Sequence, residues 1–263
     1  IIAGSHDYSV SGKTFLDVSE RAGFCEICKF EVKEQENEKE IILKAHNYES
    51  ISIYGYPGKK SSLEIDDLKK IKLENSNKFK ILMLHTSIES AVGNIPMPFI
   101  GIEELPDADY YALGHLHLLH EYKKADNCYL VYPGPIFPNK YQELQDLRCA
   151  SYYNVDVNGY VQLTKKELKL KEVLKVDVEL DNALMATDKI LNEIEKQDIK
   201  DKIILLRLRG ELRQGRQADI KFQEIESRVL EKGAYIFLKN TYKLEVEETE
   251  LEMKVDDIDK IED

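Results

Sequence analysis

Residues 110–117 read Tyr110-Tyr111-Ala112-Leu113-Gly114-His115-Leu116-His117, an apolar run that stops in a His-x-His pair. A second run, Lys80-Ile81-Leu82-Met83-Leu84-His85, also ends in histidine, and so does Ile1-Ile2-Ala3-Gly4-Ser5-His6. Short continuous apolar runs suit strands buried on both faces, the signature of a parallel sheet. In open α/β sheets the functional crevice lies beyond the carboxyl ends of the strands. Three strands that deliver histidine to that edge therefore predict an α/β fold with a site there. One histidine past a strand is usually just a polar terminus, so the repetition carries the reading.

The His115-x-His117 spacing adds geometry. In an extended segment, side chains two apart point the same way, about 6–7 Å apart at Cα. Two such imidazoles can reach two metal ions held about 3.5–4 Å apart. Imidazole together with oxygen donors suits Mn, Fe or Zn. Gly114 would let the backbone turn tightly beside the site.

The remaining segments build outward from these runs. Ser11 to Ala22 reads as a helix closed by Gly23. Phe24 to Val32, Ile41 to Leu43 and Ser50 to Tyr56 read as strands, with Lys33 to Lys39 as a hairpin loop. Pro57-Gly58 is a turn and Leu63 to Lys72 a helix. Gly93 to Pro106 holds three prolines and two glycines and reads as loop. Cys128 to Tyr132 is a strand closed by Pro133-Gly134-Pro135, and Ala150–Val157 with Tyr160–Leu163 form a hairpin around Asn158-Gly159. After about residue 173 a β-α-β-α-β order follows: Val173–Leu180, Asn182–Gln197, Lys202–Leu208, Ala218–Lys232 and Ala234–Leu238. Leu184, Thr187, Ile190, Leu191 and Ile194 mark one face of its first helix. This unit can close its own small core.

Composition sets limits. The chain has 263 residues, 43% hydrophobic and 33% charged, with no Trp, which is enough for one large domain or two smaller ones. No run is long and apolar enough for a transmembrane helix, and the first residues lack a secretory pattern. Four cysteines at this size suit a reduced, cytoplasmic setting. The net charge of −12 argues against holding nucleic acid by bulk electrostatics alone. Residues 241–263 hold ten acids against three lysines, so that segment carries −7 and the remainder only −5.

The motifs resemble a known family. Gly4-Ser5-His6-Asp7, Ile81–His85 and Gly114-His115-Leu116-His117 are similar to the later motifs of the calcineurin-like metallophosphoesterases. More narrowly, "YYALGHLHLLHEYK" followed by "YLVYPGP" resembles the SbcD-type nucleases of DNA double-strand-break repair. The resemblance implies a two-sheet sandwich flanked by helices over 1–172 and a DNA-capping β-α-β-α-β domain over 173–243. It further implies an acidic segment over 244–263, leading toward an ATPase-binding region. It implies hydrolysis of a DNA phosphodiester with two Mn²⁺, Fe or Zn remaining open. It also implies an SMC-like ABC ATPase partner, a homodimer, no membrane, and a cytoplasmic, nucleoid-associated location.

Carried over by position, His85 and His115 match ligands of one metal and His117 a ligand of the other. His6 matches the catalytic histidine that assists the leaving oxygen, a task suited to a group titrating near neutral pH. Asp7 is expected to support it. Ser5 stands where the family has a metal-binding Asn, and serine is a shorter, weaker oxygen ligand. Pro135 stands where the family often has Ser. The family's first two motifs, Asp-x-His and Gly-Asp, have no counterpart here, so the chain is expected to be N-terminally truncated and inactive alone.

Other residues carry weaker signals. Lys13, His120 and Lys140 flank the motifs and could contact substrate, as could Lys123 and Lys124. Phe15 and Leu16 on the first helix are either core residues or, as the family resemblance suggests, part of a dimer interface. Arg207, Arg209, Arg213 and Arg216 form either a solvated strand end or a phosphate-contacting edge. Cys25 and Cys28 form a lone CxxC that most simply belongs to a strand, and His46 reads as a surface or supporting polar group. Two alternatives stay open: a phosphoesterase acting on a small phosphate ester, and a non-catalytic scaffold of the repair complex.

Overall fold

The computed structural model describes residues 1–8, 14–35, 38–59, 62–136, 138, 140–146, 150–156, 161–168 and 171–247. The expected contact at Lys13 and the acidic residues 248–263 lie outside them. In chain order the elements are α1 (Phe15–Arg21), β1 (Phe30–Gln35), β2 (Glu38–Leu43), β3 (His46–Tyr48), β4 (Ile51–Tyr56), α2 (Glu64–Leu68) and β5 (Ile71–Leu73). They continue with β6 (Phe79–His85), α3 (Glu89–Val92), β7 (Tyr110–Gly114), β8 (Leu119–Ala125), β9 (Cys128–Pro133) and α4 (Tyr141–Asp146). The last are β10 (Ala150–Asp156), β11 (Gln162–Leu168), β12 (Val173–Glu179), α5 (Ala186–Glu195), β13 (Ile203–Leu212), α6 (Phe222–Glu231) and β14 (Ile236–Val246). None of the described helices is long and apolar enough to cross a membrane.

The chain forms two compact units. The first comprises Ile1–Pro138 and Cys149–Lys169, the second Asn139–Arg148 and Leu170–Asp263. In the first, six strands run in the order β3-β4-β6-β7-β9-β8. Strands β4, β6, β7 and β9 are mutually parallel, while β3 and β8 pair antiparallel at the edges. Alternate side chains of the central strands, among them Tyr56, Leu82, Leu84, Tyr111 and Leu113, share one core with Ile41 and Leu43 of β2 and Ile65 and Leu68 of α2. The opposite face is only partly covered. There Met83 and Ala112 are half-buried and line an apolar cleft of about 450 Å³ that reaches from Ile2 to Tyr153. The runs expected to be buried on both faces are thus fully buried on one.

In the second unit, β12, β13 and β14 make a parallel sheet in sequence order. The core joins Val176 and Val178 to Ile190, Ile194, Ile225 and Val229 of the two long helices. The β-α-β-α-β order is therefore observed, while Leu184, assigned to the apolar face of the helix, precedes α5 and is exposed.

Several local expectations change, each for a physical reason. The helix expected over Ser11–Ala22 is observed over Phe15–Arg21, because Thr14 caps it: its hydroxyl accepts from the Leu16 and Asp17 amides, and Asp17 accepts from the Thr14 amide at 2.6 Å. The Lys33–Lys39 loop is mostly strand, since β1 and β2 pair from Phe30↔Leu43 to Gln35↔Glu38. The strand expected from Phe24 begins at Phe30. The Leu63–Lys72 helix ends at Leu68, and Ile71–Leu73 instead pairs with β2. Ile1–Gly4 forms no strand, although Ile1 and Ala3 accept amide hydrogens from Cys28 and Gly58. Gly93–Pro106 carries a 3-10 turn at Ile102–Glu104.

Candidate metal centre at the ends of two parallel strands

Strands β6 and β7 are in register, so His85, the last residue of β6, sits opposite Gly114, the last of β7. This brings the next residue, His115, beside it: the two imidazole rings lie 5.1 Å apart at 69°. His115 has φ +94°, a conformation a β-carbon disfavours, so the backbone bends sharply after Gly114. The expectation that His115 and His117 project together from an extended segment is therefore corrected. His115 is half-buried beside His85, and His117 is exposed.

The His85 ring sits in a glycine cradle. A β-carbon at Gly4 would fall 2.9 Å from its Cε1, one at Gly114 would fall 3.2 Å from its Nδ1, and one at Gly58 would overlap Cδ2. Each glycine comes from a different segment: the Gly4–Asp7 turn, the loop after β4, and the end of β7. Gly58 donates its amide to the Ala3 carbonyl at 3.0 Å, which ties two of those segments together. The turn itself is closed by the Gly4 amide on Asp7 Oδ2 at 2.7 Å. Ser5 Oγ approaches His85 Nε2 at 3.4 Å.

Burial holds the His85 imidazole well below its ordinary range, down to about 4, with the His115 charge adding to the effect and Asp7 opposing it. His6 and His117 act in the same direction as His115, so both lie within electrostatic reach of the ring. Burial also lowers His115, while the Glu64 carboxylate pulls it back up. Both rings are accordingly neutral near pH 7, the state in which imidazole binds a metal.

The donor set is incomplete. Among the described residues, no three of His, Cys, Asp or Glu come together in a way that could hold a metal ion. Two neutral, converging imidazoles fit part of a metal site, and Ser5 is bonded to one of them. His6 is exposed on the Gly4–Asp7 turn beside this pair.

The remaining candidates fall elsewhere. His120 lies within β8, a strand the sequence reading missed, and its Nε2 meets Ser90 Oγ at 3.1 Å. Lys140 is exposed and belongs to the second unit. Lys123 and Lys124 face Asp126 and Asp107. Phe15 is 88% exposed, but Leu16 is half-buried. Arg207 pairs with Asp177, with one bond at 2.9 Å, and Arg209 pairs with Glu179 at 3.3 Å, so half of the arginine cluster is engaged within its own sheet. Cys25 and Cys28 are free thiols. His46 is structural: Nδ1 meets Glu26 at 3.1 Å and Nε2 accepts the Lys29 amide at 3.2 Å.

Gly58, Glu64 and Thr86 were missed. Gly58 belonged to an ordinary Pro-Gly turn pattern. Glu64 is one of three acids on a short charged helix, and its bonds to Thr86 and the Lys59 amide set it apart.

No family model matches the chain. Over 145 residues, 51% of the chain, it is 32% identical to the DNA double-strand break repair protein Mre11 of Methanocaldococcus jannaschii. That stretch is 36% of the archaeal protein, so the chain spans about a third of the length of the curated relative it matches.

Proposed function

We propose that this chain supplies imidazole ligands and a proton donor to the active site of a divalent-metal-dependent DNA nuclease of double-strand-break repair. The observation that carries the reading is the placement of His85 and His115 as adjacent neutral imidazoles past two in-register parallel strands. The similarity to a named DNA double-strand break repair protein supports the substrate.

In this reading His85 and His115 hold one metal and His117 contributes to a second, Ser5 beside His85 stands where an oxygen ligand would lie, and Mn²⁺ is the expected ion. When bound, such ions polarise the phosphate and lower the pKa of a coordinated water. The chain's own residues do the rest. The glycine cradle fixes the His85 ring, so little orientational freedom is lost when a ligand binds. His6, exposed on its turn, delivers a proton to the departing oxygen. The exposed Phe15 and Val18 of α1 support pairing with a second copy. An SMC-like ATPase partner rests on the family resemblance alone.

The test is cleavage of linear double-stranded DNA with Mn²⁺, using the polypeptide at its native length. Activity that is lost on chelation, and reduced at least about 100-fold in His115→Ala and His6→Ala, is expected. Metal-dependent cleavage that survives both substitutions would remove this chain's histidines from the chemistry.

A further inference from the structure

Glu64 is a carboxylate at the start of α2 that is only 2% exposed. An ionised carboxylate in that position is costly unless its oxygens are hydrogen-bonded. Its two oxygens have two partners. Oε1 accepts from Thr86 Oγ1 at 3.2 Å, and Oε2 accepts from the Lys59 amide at 3.2 Å. Thr86 follows His85 directly, and Lys59 follows Gly58, the glycine packed most tightly on the His85 ring.

We propose that Glu64 is a positioning residue: its carboxylate bridges the loop after β4 to the end of β6, clamping Gly58 against His85 and fixing the ring's direction. The inference rests on the proposed metal-dependent function and names a residue that serves it without touching substrate.

Three further contacts fit that role. The next acid on the same helix face, Asp67, pairs with Lys59 Nζ, so α2 holds Lys59 by both its amide and its side chain. On the far side, Tyr132 donates to the Thr86 carbonyl at 2.8 Å and accepts from the Ile88 amide at 3.2 Å. Thr86 is thus gripped from two directions, and the backbone carrying His85 has little room to shift. The Glu64 charge also opposes the lowering of His115 by burial, which places the carboxylate near the neighbouring His115 ring. Well-packed apolar residues could fill this space at equal or better stability. A buried acid that instead joins the two segments flanking a ligand ring resembles the outer partners that orient metal-binding histidines.

The test compares the full chain with Thr86→Val, Glu64→Gln and Glu64→Ala. Glutamine can keep both bonds, accepting from Lys59 and donating to Thr86, without the charge. Long-range ¹H–¹⁵N correlation of the imidazole rings in metal-free protein reads ring environment, and titration with Mn²⁺ alone reads affinity. Thr86→Val and Glu64→Ala should move the His85 ring signals and weaken Mn²⁺ binding about tenfold. Glu64→Gln should leave both close to wild type. If Glu64→Ala does not fold, Thr86→Val decides.

Unmoved His85 signals and unchanged affinity in Thr86→Val would overturn the proposal. So would Glu64→Gln behaving like Glu64→Ala, because charge rather than the two bonds would then be acting. Failure of every version to bind Mn²⁺ counts against the metal-dependent function; the ring signals still report on the clamp.

Discussion

The imidazole of His85 stands 5.1 Å from that of His115 because Gly114, the residue before His115, pairs in register with His85. Neither ring reaches that position through a long flexible side chain, so small backbone changes should be felt directly. Gly58→Ala would drive a β-carbon into His85 Cδ2. Overpacking of this kind costs about 1–3 kcal/mol, and it should weaken divalent-metal binding at least about tenfold. Gly114→Ala, whose β-carbon would sit 3.2 Å from Nδ1, should do less. Thermal melts and calorimetry on both variants check the order.

Acid should affect the metal-free protein through His85. Its pKa is lowered to about 4 from 6.5, so the unfolded chain takes up this proton first. Stability from the buried neutral ring is complete above the unfolded value, declines as pH falls below it, and is lost by about pH 4. His85→Phe should flatten that part of the profile, measured as urea midpoints between pH 7 and pH 4. An unchanged slope would mean that the ring is not desolvated.

Asp67 gives the opposite kind of contribution. Burial raises its pKa, but bonds from Lys39, Lys59 and Tyr56 outweigh that and hold it at about 2. Its stabilisation is complete above the unfolded value of 3.8 and disappears as pH falls through 2. Asp67→Asn should cost about 2 kcal/mol at pH 7, a figure reduced because both lysines are partly exposed. Chemical denaturation at pH 7 and pH 2 should show the difference between wild type and variant shrinking at the lower pH.

His46 provides the contrast. It joins Glu26 to the Lys29 amide, at 3.1 Å and 3.2 Å, and neither partner belongs to the glycine cradle. His46→Ala should cost about 1 kcal/mol of stability and leave Mn²⁺ affinity unchanged. A drop in affinity would show that the histidines divide differently between structure and site.

The histidines at the ends of β6 and β7 made the candidate site legible in the sequence, because an apolar run followed by His needs no tertiary information. The same reasoning found β6, β7, β9 and the β-α-β-α-β order. It missed β8, whose Leu119–Ala125 stretch is charged and lies on a sheet edge, where burial leaves no apolar pattern. It read Leu63–Lys72 as one helix, whereas pairing of Ile71–Leu73 with β2 takes the last residues into a sheet. The spacing of His115 and His117 was sound for a strand, but a single residue at φ +94° cancels the alternation. The cradle and Glu64 were illegible, because they consist of ordinary residues whose role exists only once three separate segments meet.

The central claim is that His85 and His115 bind a metal together. Calorimetric titration of the chain with Mn²⁺, beside His85→Ala and His115→Ala, tests it directly. The account predicts binding by the wild type and a loss of at least about tenfold in each variant, with melting temperatures showing that both remain folded. Equal affinity in all three proteins would contradict it.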